Sequence, residues 1–331
     1  MIAMRLRAAV FVILVFGCRE RAAQTPRGES RQTVDSAFSA GPTDTPMFAR
    51  GAGPRVVIDQ AHANFHTASG RYAPFKRLLE QDGFVVDSNV RPFDPAVLSR
   101  VRILVISNAV HPSQRDVKDW HLPTPSAFTD AEIDAVRRWV NGGGALLLIA
   151  DHMPFAGAAS QLGSALGIRF FNGFALADSV YDQATGDYPL TFRRADGGLA
   201  DHPITNGTSP RARIDSVTSF TGSAFALSGA HRPGALLRLA PNIRVRLPQR
   251  AWVFSDSAPV VSERDLLQGA AFTIGTGRVA VFGEAAMFTA QRKGVSRSPM
   301  GMNAPAAGQN AQFVLNTMRW LAGALTRPSI R

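Results

Sequence analysis

The sequence predicts an α/β fold with a doubly wound, mainly parallel sheet, and three observations indicate it. Residues 145–150 form an apolar run without polar alternation, which is typical of a strand buried on both faces. Before this run, apolar residues recur at the spacing of one helix face, and the predicted helix begins with Thr129 and Glu132 at the spacing of a capping box. Asp151 and His152 follow the run directly. Because doubly wound sheets bind ligands at the carboxyl ends of their strands, we expect the chemistry at this point.

The other elements alternate in the same way along the chain. Before the central run, the pattern predicts a helix that begins near Pro74 and strands at residues 55–59, 84–87 and 101–107. After it, helices are predicted at residues 158–166 and 309–321, and a β-hairpin at residues 269–282. Short strands are predicted at residues 168–171, 217–220, 235–239, 243–247 and 251–254. Residues 172–200 show little periodicity and are expected to form an inserted loop.

The amino terminus has the order of a bacterial secretory signal. Arg5 and Arg7 precede an apolar run that ends in a lipobox-like sequence, in which Cys18 is lipidated. The alternative is an ordinary cleaved signal whose apolar region contains a cysteine. We therefore divide the chain into a signal at residues 1–18, a flexible tether at 19–54, a folded domain at 55–325 and a tail at 326–331. The expected location is the cell envelope, on the periplasmic or outer side of a membrane.

Composition excludes several classes of function. Cys18 is the only cysteine in 331 residues, so the mature domain has no disulfide, thiol nucleophile or cysteine metal site. The formal charge of +11 falls to +9 when Arg5 and Arg7 leave with the signal. Because the arginines are scattered and form no basic run with aromatic residues, no nucleic-acid partner is expected. The sequence contains no GxSxG pattern, and nucleophilic hydrolysis is therefore poorly supported.

Polar residues follow the predicted strands, at the ends that share one edge in a parallel sheet. They are Asp59, Gln60 and His62 after the first strand, Asp87 and Asn108 after the next two, Asp151 and His152 after the central strand, and Glu284 after the hairpin. Strands also end in Asp or Asn because turns need them, and this is the favoured interpretation of Asp87 and Asn108. For Asp59, Asp151 and Glu284 we favour a site, since each follows a buried strand and precedes further polar residues.

His62 and His66 are candidate metal ligands. They are four residues apart, which places both imidazoles on one face if the loop forms a helical turn. With a carboxylate such as Asp59 they would make a nitrogen and oxygen site of the kind that zinc accepts. Because no HExxH accompanies this common spacing, hydrogen-bonded loop histidines are an equal alternative. A divalent metal is the only cofactor that the sequence indicates.

Five sequence blocks resemble the class I glutamine amidotransferase-like superfamily and a bacterial domain-of-unknown-function family within it. The blocks are IDQAHANFHT, WVNGGGALLLIADHMPFAG, LADHPITNG, GRVAVFGEAAMFTAQ and QNAQFVLNTMRWL, within about residues 55–325. The third block also resembles a turn of the trehalose-utilisation-like branch. The resemblance implies a flavodoxin-like fold, to which residues 269–282 add an antiparallel hairpin near the carboxyl terminus. In the superfamily's amidotransferases a cysteine nucleophile follows the central strand. Asp151 stands in that neighbourhood here, so glutaminase activity is not expected.

Two classes of function follow from these residues. The first is a binding module for a small polar ligand, such as a sugar or a cell-wall fragment. Its ligand-binding candidates are Asp59, Gln60, His62, Asn64 and Asn108. The second is a metal-assisted hydrolase, in which His62 and His66 help to hold the ion. Its catalytic candidates are Asp151, His152 and Glu284. Absence of the nucleophile favours binding, whereas the density of carboxylates and imidazoles favours catalysis. A membrane, reached through the lipid anchor, is the other expected partner.

Overall fold

A computed structural model describes residues 32–41, 43–177 and 189–325, without the side chains of residues 232 and 233. The predicted signal with Cys18, the first part of the predicted tether and the predicted tail lie outside the described residues. So does the middle of the loop predicted at residues 172–200. Among the described helices, none has the length and apolar character needed to cross a membrane.

The described residues form a mixed α/β structure. In chain order the strands are β1 (Thr33–Val34), β2 (Arg55–Asp59), β3 (Val85–Asn89), β4 (Ile103–Ser107), β5 (Ala145–Ile149), β6 (Ile168–Phe171), β7 (Phe174–Ala177), β8 (Pro189–Arg193), β9 (Ser216–Phe220), β10 (Ala224–Leu227), β11 (Ala235–Arg238), β12 (Ile243–Arg246), β13 (Leu267–Ile274), β14 (Gly277–Phe282), β15 (Ala290–Lys293) and β16 (Ser298–Gly301). The helices are α1 (Ala73–Gln81), α2 (Pro95–Leu98), α3 (Asp130–Asn141), α4 (Phe155–Ala158), α5 (Ser160–Ala165), α6 (Pro203–Asn206) and α7 (Asn310–Leu321). Short 3-10 helices lie at Pro112–Gln114, Gly229–Gly234, Ala286–Phe288 and Pro305–Ala307.

A large mixed sheet organises the molecule. Its strand order is β3-β2-β4-β5-β14-β13-β10-β6, and β11 also pairs with β13. The five strands from β3 to β14 run parallel, whereas the pairs made by β13 with β14, β10 and β11, and by β10 with β6, are antiparallel. The prediction of α/β structure holds, but the sheet is mixed rather than mainly parallel, and the flavodoxin-like detail is not confirmed. Short strands from residues 224–238 make the difference, because they extend the sheet beyond the hairpin.

The central unit forms as its sequence predicts. Thr129 Oγ1 accepts a hydrogen bond from the Glu132 amide at 3.3 Å, and Glu132 Oε2 accepts one from the Thr129 amide at 3.0 Å, which makes a capping box at the start of α3. After α3, Gly143 adopts a φ of +112°, a conformation that favours glycine. All five residues of β5 are buried between β4 and β14. The predicted hairpin also forms, with β13 and β14 paired from Gly269 and Phe282 to the turn.

Helices cover both faces of the parallel strands. Alternate residues of β4 and β5 point to opposite faces, as the period of a strand requires. One face packs with α1 and α7 and contains Ile103, Val105, Ala145, Leu147 and Ile149. The other packs with α3 and α5 and contains Leu104, Ile106, Leu146 and Leu148. The carboxyl ends of the parallel strands therefore emerge together from a rigid core.

Part of the segment predicted as a flexible tether packs against the domain. β1 pairs antiparallel with β15, and the Phe48 ring lies 5.1 Å from the Phe84 ring. The buried guanidinium of Arg319 contacts the Asp44 carboxylate and the Thr45 carbonyl oxygen. The polar composition of this segment did not indicate these contacts, because its few apolar and charged side chains meet partners far away in the sequence.

Other differences concern short strands. Residues 251–254 form a turn rather than the predicted strand. β7, β8, β10, β15 and β16 were not predicted, because strands of four or five residues give little periodic signal. β7 and β8 lie within residues 172–200, which were predicted to form an inserted loop. β15 and β16 pair with each other as a local hairpin, whereas β10 pairs with the distant strands β6 and β13.

Candidate functional site

The carboxyl ends of β2, β4, β5 and β14 bring several predicted site residues to one edge of the sheet. Asn108, after β4, adopts a φ of +47°, and its Oδ1 accepts a hydrogen bond from the Asp151 amide, after β5, at 3.0 Å. Burial, together with the negative charges of Glu284 and Asp151, raises the pKa of the Tyr72 hydroxyl well above its ordinary value. Tyr72 is thus near the ends of both β5 and β14.

A buried ionic triad forms beside this edge. His62 Nδ1 lies 2.8 Å from Asp59 Oδ2, and His62 Nε2 lies 2.8 Å from Glu132 Oε1. Because carboxylates only accept hydrogen bonds, both ring nitrogens donate, which requires the imidazolium form. Burial by itself lowers the pKa of His62, but the hydrogen bonds and charges of the two carboxylates outweigh it and raise the pKa above 6.5. The triad is a paired charge network rather than an open site.

His66 is in a different electrostatic environment. Burial, and to a lesser extent the positive charge of Arg71, lowers the pKa of His66 well below its ordinary value, so the ring is neutral at pH 7. Its Nδ1 lies 3.3 Å from Ser107 Oγ, and its ring stacks on Tyr72 with centroids 4.8 Å apart. Ser107 Oγ in turn donates to the Tyr72 hydroxyl at 2.8 Å. Asn64 Nδ2 donates to the Ser107 carbonyl oxygen at 3.3 Å, so the whole loop is tied to the end of β4.

The opposite pKa shifts of the two histidines give a testable pH dependence. A raised folded pKa means that the charge of His62 stabilises the fold fully below about pH 6.5 and loses this effect as pH rises through the folded pKa. The lowered pKa of His66 means that its neutral form contributes to the stability of the fold above about pH 6.5, and that this contribution is lost as pH falls. We expect the difference in melting temperature between wild type and His62→Gln to shrink as pH rises from about 6 to about 9. Thermal melts across this range check it, and a difference that grows with pH would contradict the charged triad.

Asp151 and His152 begin the turn that follows β5. Asp151 Oδ1 accepts a hydrogen bond from the His152 amide at 2.7 Å, and Asp151 is buried. The His152 ring is half-buried and stacks on Phe174 with centroids 4.9 Å apart and an interplanar angle of 10°. The Trp252 ring meets His152 edge-on at 4.6 Å. His152 therefore acts as one of a group of rings at the end of the central strand.

These rings continue across the edge as an aromatic wall. We use this name for Phe65, Phe155, His152 and Trp252. The Phe65 ring lies 5.5 Å from Phe155, which lies 5.7 Å from His152. Phe65 is 41% exposed and Trp252 is partly exposed, so the wall faces solvent at both ends. Trp120 packs edge-on against Phe155 at 5.5 Å.

A polar groove lies next to the aromatic wall. This cavity of about 670 Å³ has no charged residue in its lining. The Leu122 amide donates to the Gln249 carbonyl oxygen at 2.9 Å, and this pairing forms one side. α4 and α5 form the other. Polar side chains in the lining belong to Thr124, Ser126, Ser160, Gln161, Asn172 and Gln249. Aromatic rings beside neutral hydrogen-bonding groups are the usual lining of small-molecule sites.

Comparison with known proteins supports the fold. No protein-family model matches the sequence, and no curated protein matches it. The chain is similar in fold to the mmIFT52 N-terminal domain. The TM-score is 0.54 at 13% identity, over 83% of this chain and 99% of that chain. At this identity the similarity concerns the fold alone.

Solved structures with lower scores include two proteins described as ThuA-like. The one from Bacteroides uniformis has a TM-score of 0.45 at 14% identity, over 86% of this chain and 95% of that chain. The one from Parabacteroides merdae has a TM-score of 0.44 at 11% identity, over 83% of this chain and 92% of that chain.

Most of the predicted site residues lie at the expected edge, but the fold buries them. Asp59, Asn108 and Glu284 are at most 1% exposed. Glu284 accepts hydrogen bonds from the Ala286 and Met287 amides at 2.7 and 2.8 Å. Gln60 is partly exposed, and its Oε1 accepts a hydrogen bond from the Ala68 amide at 3.2 Å. In this structure these polar groups hold the loops that follow the strands.

The predicted metal pair is not supported by this geometry. Both ring nitrogens of His62 face carboxylates, and His66 Nδ1 faces the Ser107 hydroxyl. Within residues 32–41, 43–177 and 189–325, no group of three or more His, Asp or Glu side chains is arranged to hold a metal ion. In this structure carboxylates from β2 and α3 pair with His62.

Sequence reasoning missed several residues of this region. Glu132 was interpreted only as a helix cap, although its second oxygen holds His62. Arg71 and Tyr72 end the loop that carries both histidines, and no periodic pattern marked them. Trp252 fell in a predicted strand. For Arg71 and Tyr72, the available signal was an arginine or aromatic residue in the loop after a buried strand.

Proposed function

We propose that this is a lipid-anchored envelope protein whose domain binds a small polar ligand, a sugar or a cell-wall fragment. We place the ligand on the aromatic wall and in the polar groove beside the end of β5. We also propose that the domain is a cysteine-less member of the class I glutamine amidotransferase-like superfamily. The five ordered blocks and the position of Asp151 directly after the central strand support this assignment.

One observation carries the proposal, namely the neighbouring positions of the aromatic wall and the polar groove. Rings supply apolar area on which the faces of a sugar can lie, and neutral amides and hydroxyls pair with its hydroxyl groups. Neither Gln161 nor Gln249 makes a side-chain hydrogen bond within the described part of the chain, so their amides are open to a ligand. Since the groove lining carries no charge, the part of the ligand held there is neutral.

Trp252→Ala should weaken ligand binding while the fold persists. We would titrate purified domain with N-acetylglucosamine and N-acetylmuramic acid by calorimetry. We expect wild type to bind at least one of them and Trp252→Ala to bind it at least about tenfold more weakly, a change of about 1.4 kcal/mol. The matched control is Trp139→Ala, because this half-buried tryptophan packs on Gly144 at the opposite end of β5. Equal weakening by both substitutions would show a general loss of structure and contradict the proposed position.

Cys18→Ser tests the anchor separately. Lipidation requires the cysteine thiol, so the variant should lose incorporation of labelled fatty acid and leave the membrane fraction. Metabolic labelling and cell fractionation measure both effects. If the serine variant keeps its label, the lipobox interpretation is wrong, whatever the domain binds.

A further inference from the structure

Arg71 is a half-buried cation without a counter-ion at one end of the aromatic wall. Its Cζ lies 4.0 Å from the centroid of the Phe65 ring. Nη1 lies 3.5 Å from the Phe65 carbonyl oxygen, at the outer limit of a hydrogen bond. Nε is buried and has no hydrogen-bond partner. In the part of the chain that the structure describes, none of the ion pairs includes Arg71.

Two other buried cations of the described residues have carboxylate partners. His62 is held between two carboxylates, and Arg319 is paired with Asp82. Burial lowers the pKa of Arg71, because the charged guanidinium loses water. A partly buried charge without compensation destabilises a fold, so the position of Arg71 indicates a partner that the described residues do not supply.

The carboxylates on this edge are already engaged. Asp151 accepts from the His152 amide, and Glu284 accepts from the Ala286 and Met287 amides. His66, next to Arg71, is neutral at pH 7 because burial and the Arg71 charge lower its pKa. Arg71 therefore has no anionic partner among the described residues of this edge and is available to bind the anionic group of a ligand.

We infer that the ligand of the proposed site carries an anionic group, a carboxylate or a phosphate, and that Arg71 binds this group. The inference rests on the proposed function and names the class of ligand. A guanidinium offers paired donors that match both groups. Phe65 contacts both Arg71 and Phe155, so one small molecule can place an anionic group at Arg71 and a sugar ring on the aromatic wall. Acidic sugars have this combination of parts.

Two sugars that differ only in a lactyl group, which carries a carboxylate, test the inference. N-acetylmuramic acid is N-acetylglucosamine with an added lactyl ether. We expect wild type to bind the acid about tenfold more tightly than the neutral sugar, and Arg71→Gln to bind both alike with the affinity for the neutral sugar unchanged. Arg71→Lys should keep part of the preference, because it keeps the charge but loses the planar donors. Arg100→Gln, at an exposed arginine, is the charge-matched control and should behave as wild type.

The outcomes separate this inference from the proposed function. Equal affinities in wild type, or a preference that survives Arg71→Gln, overturn the role of Arg71 while sugar binding stands. If neither sugar binds, thermal melts with inorganic phosphate decide whether Arg71 binds an anion. A rise in melting temperature that Arg71→Gln abolishes supports the anion site without the sugar, and no rise overturns it. A melting temperature of ligand-free Arg71→Gln well below that of wild type also overturns it, because Arg71 would then serve to hold its loop.

Discussion

Glu132→Ala is expected to lower the free energy of unfolding by about 3–5 kcal/mol, the usual cost of breaking a buried ion pair. Glu132 Oε1 lies 2.8 Å from His62 Nε2 and accepts from the Phe93 amide at 3.1 Å. Oε2 accepts from the amide and hydroxyl of Thr129 at 3.0 and 2.8 Å. Alanine leaves the His62 charge and the Phe93 amide buried without this partner and removes half of the capping box. Urea unfolding of wild type and variant measures the change.

Two further variants make this result specific. Glu132→Gln keeps the side-chain volume and one carbonyl acceptor, so it should lower the free energy of unfolding less than Glu132→Ala does. Glu80→Ala removes an exposed carboxylate that lies 3.7 Å from Lys76, and such surface pairs contribute at most about 1 kcal/mol. If Glu132→Ala lowers the free energy of unfolding no more than Glu80→Ala does, the triad does not attach the loop that follows β2 to helix α3.

Arg319→Ala is expected to lower the free energy of unfolding by a similar amount, about 3–5 kcal/mol, and to release residues 43–48 from the domain. Arg319 in α7 is 0% exposed. Its Nε and Nη2 donate to the two oxygens of Asp82 at 2.9 and 2.5 Å, and Nη2 also donates to the Thr45 carbonyl oxygen at 2.8 Å. Alanine leaves the Asp82 carboxylate buried and unpaired and opens a cavity in the core. Urea unfolding measures the loss of stability, and limited proteolysis should cut near residue 45 in the variant before wild type.

Arg319→Lys and Arg138→Ala are the matched controls. Lysine keeps the charge but has no planar fork for the two oxygens of Asp82, so it should restore only part of the stability. Arg138 is exposed and lies 3.6 Å from Asp134, so its loss should change stability by at most about 1 kcal/mol. Unchanged protease resistance of residues 43–48 in Arg319→Ala would show that other contacts hold this segment.

The sequence by itself determined the parts of this protein whose signals are local. α3 with its capping box, the buried strand β5 and the hairpin of β13 and β14 follow from periodicity and turn residues within short windows. The edge on which Asp59, Asn108, Asp151 and Glu284 gather also followed, because parallel strands share the direction of their carboxyl ends. These features depend on neighbours in the chain or on a rule of sheet topology.

Only the tertiary structure decided what those side chains do. The second oxygen of Glu132 meets His62 from 70 residues away, which turns a predicted metal ligand into one member of a buried triad. β10 and β11 join β13 and make the sheet mixed, and Arg319 pairs with Asp44. Such pairings are not encoded in any local pattern, because they form when distant segments meet and bury their polar groups together. For the same reason the unpaired state of Arg71 is visible only once every neighbour is in position.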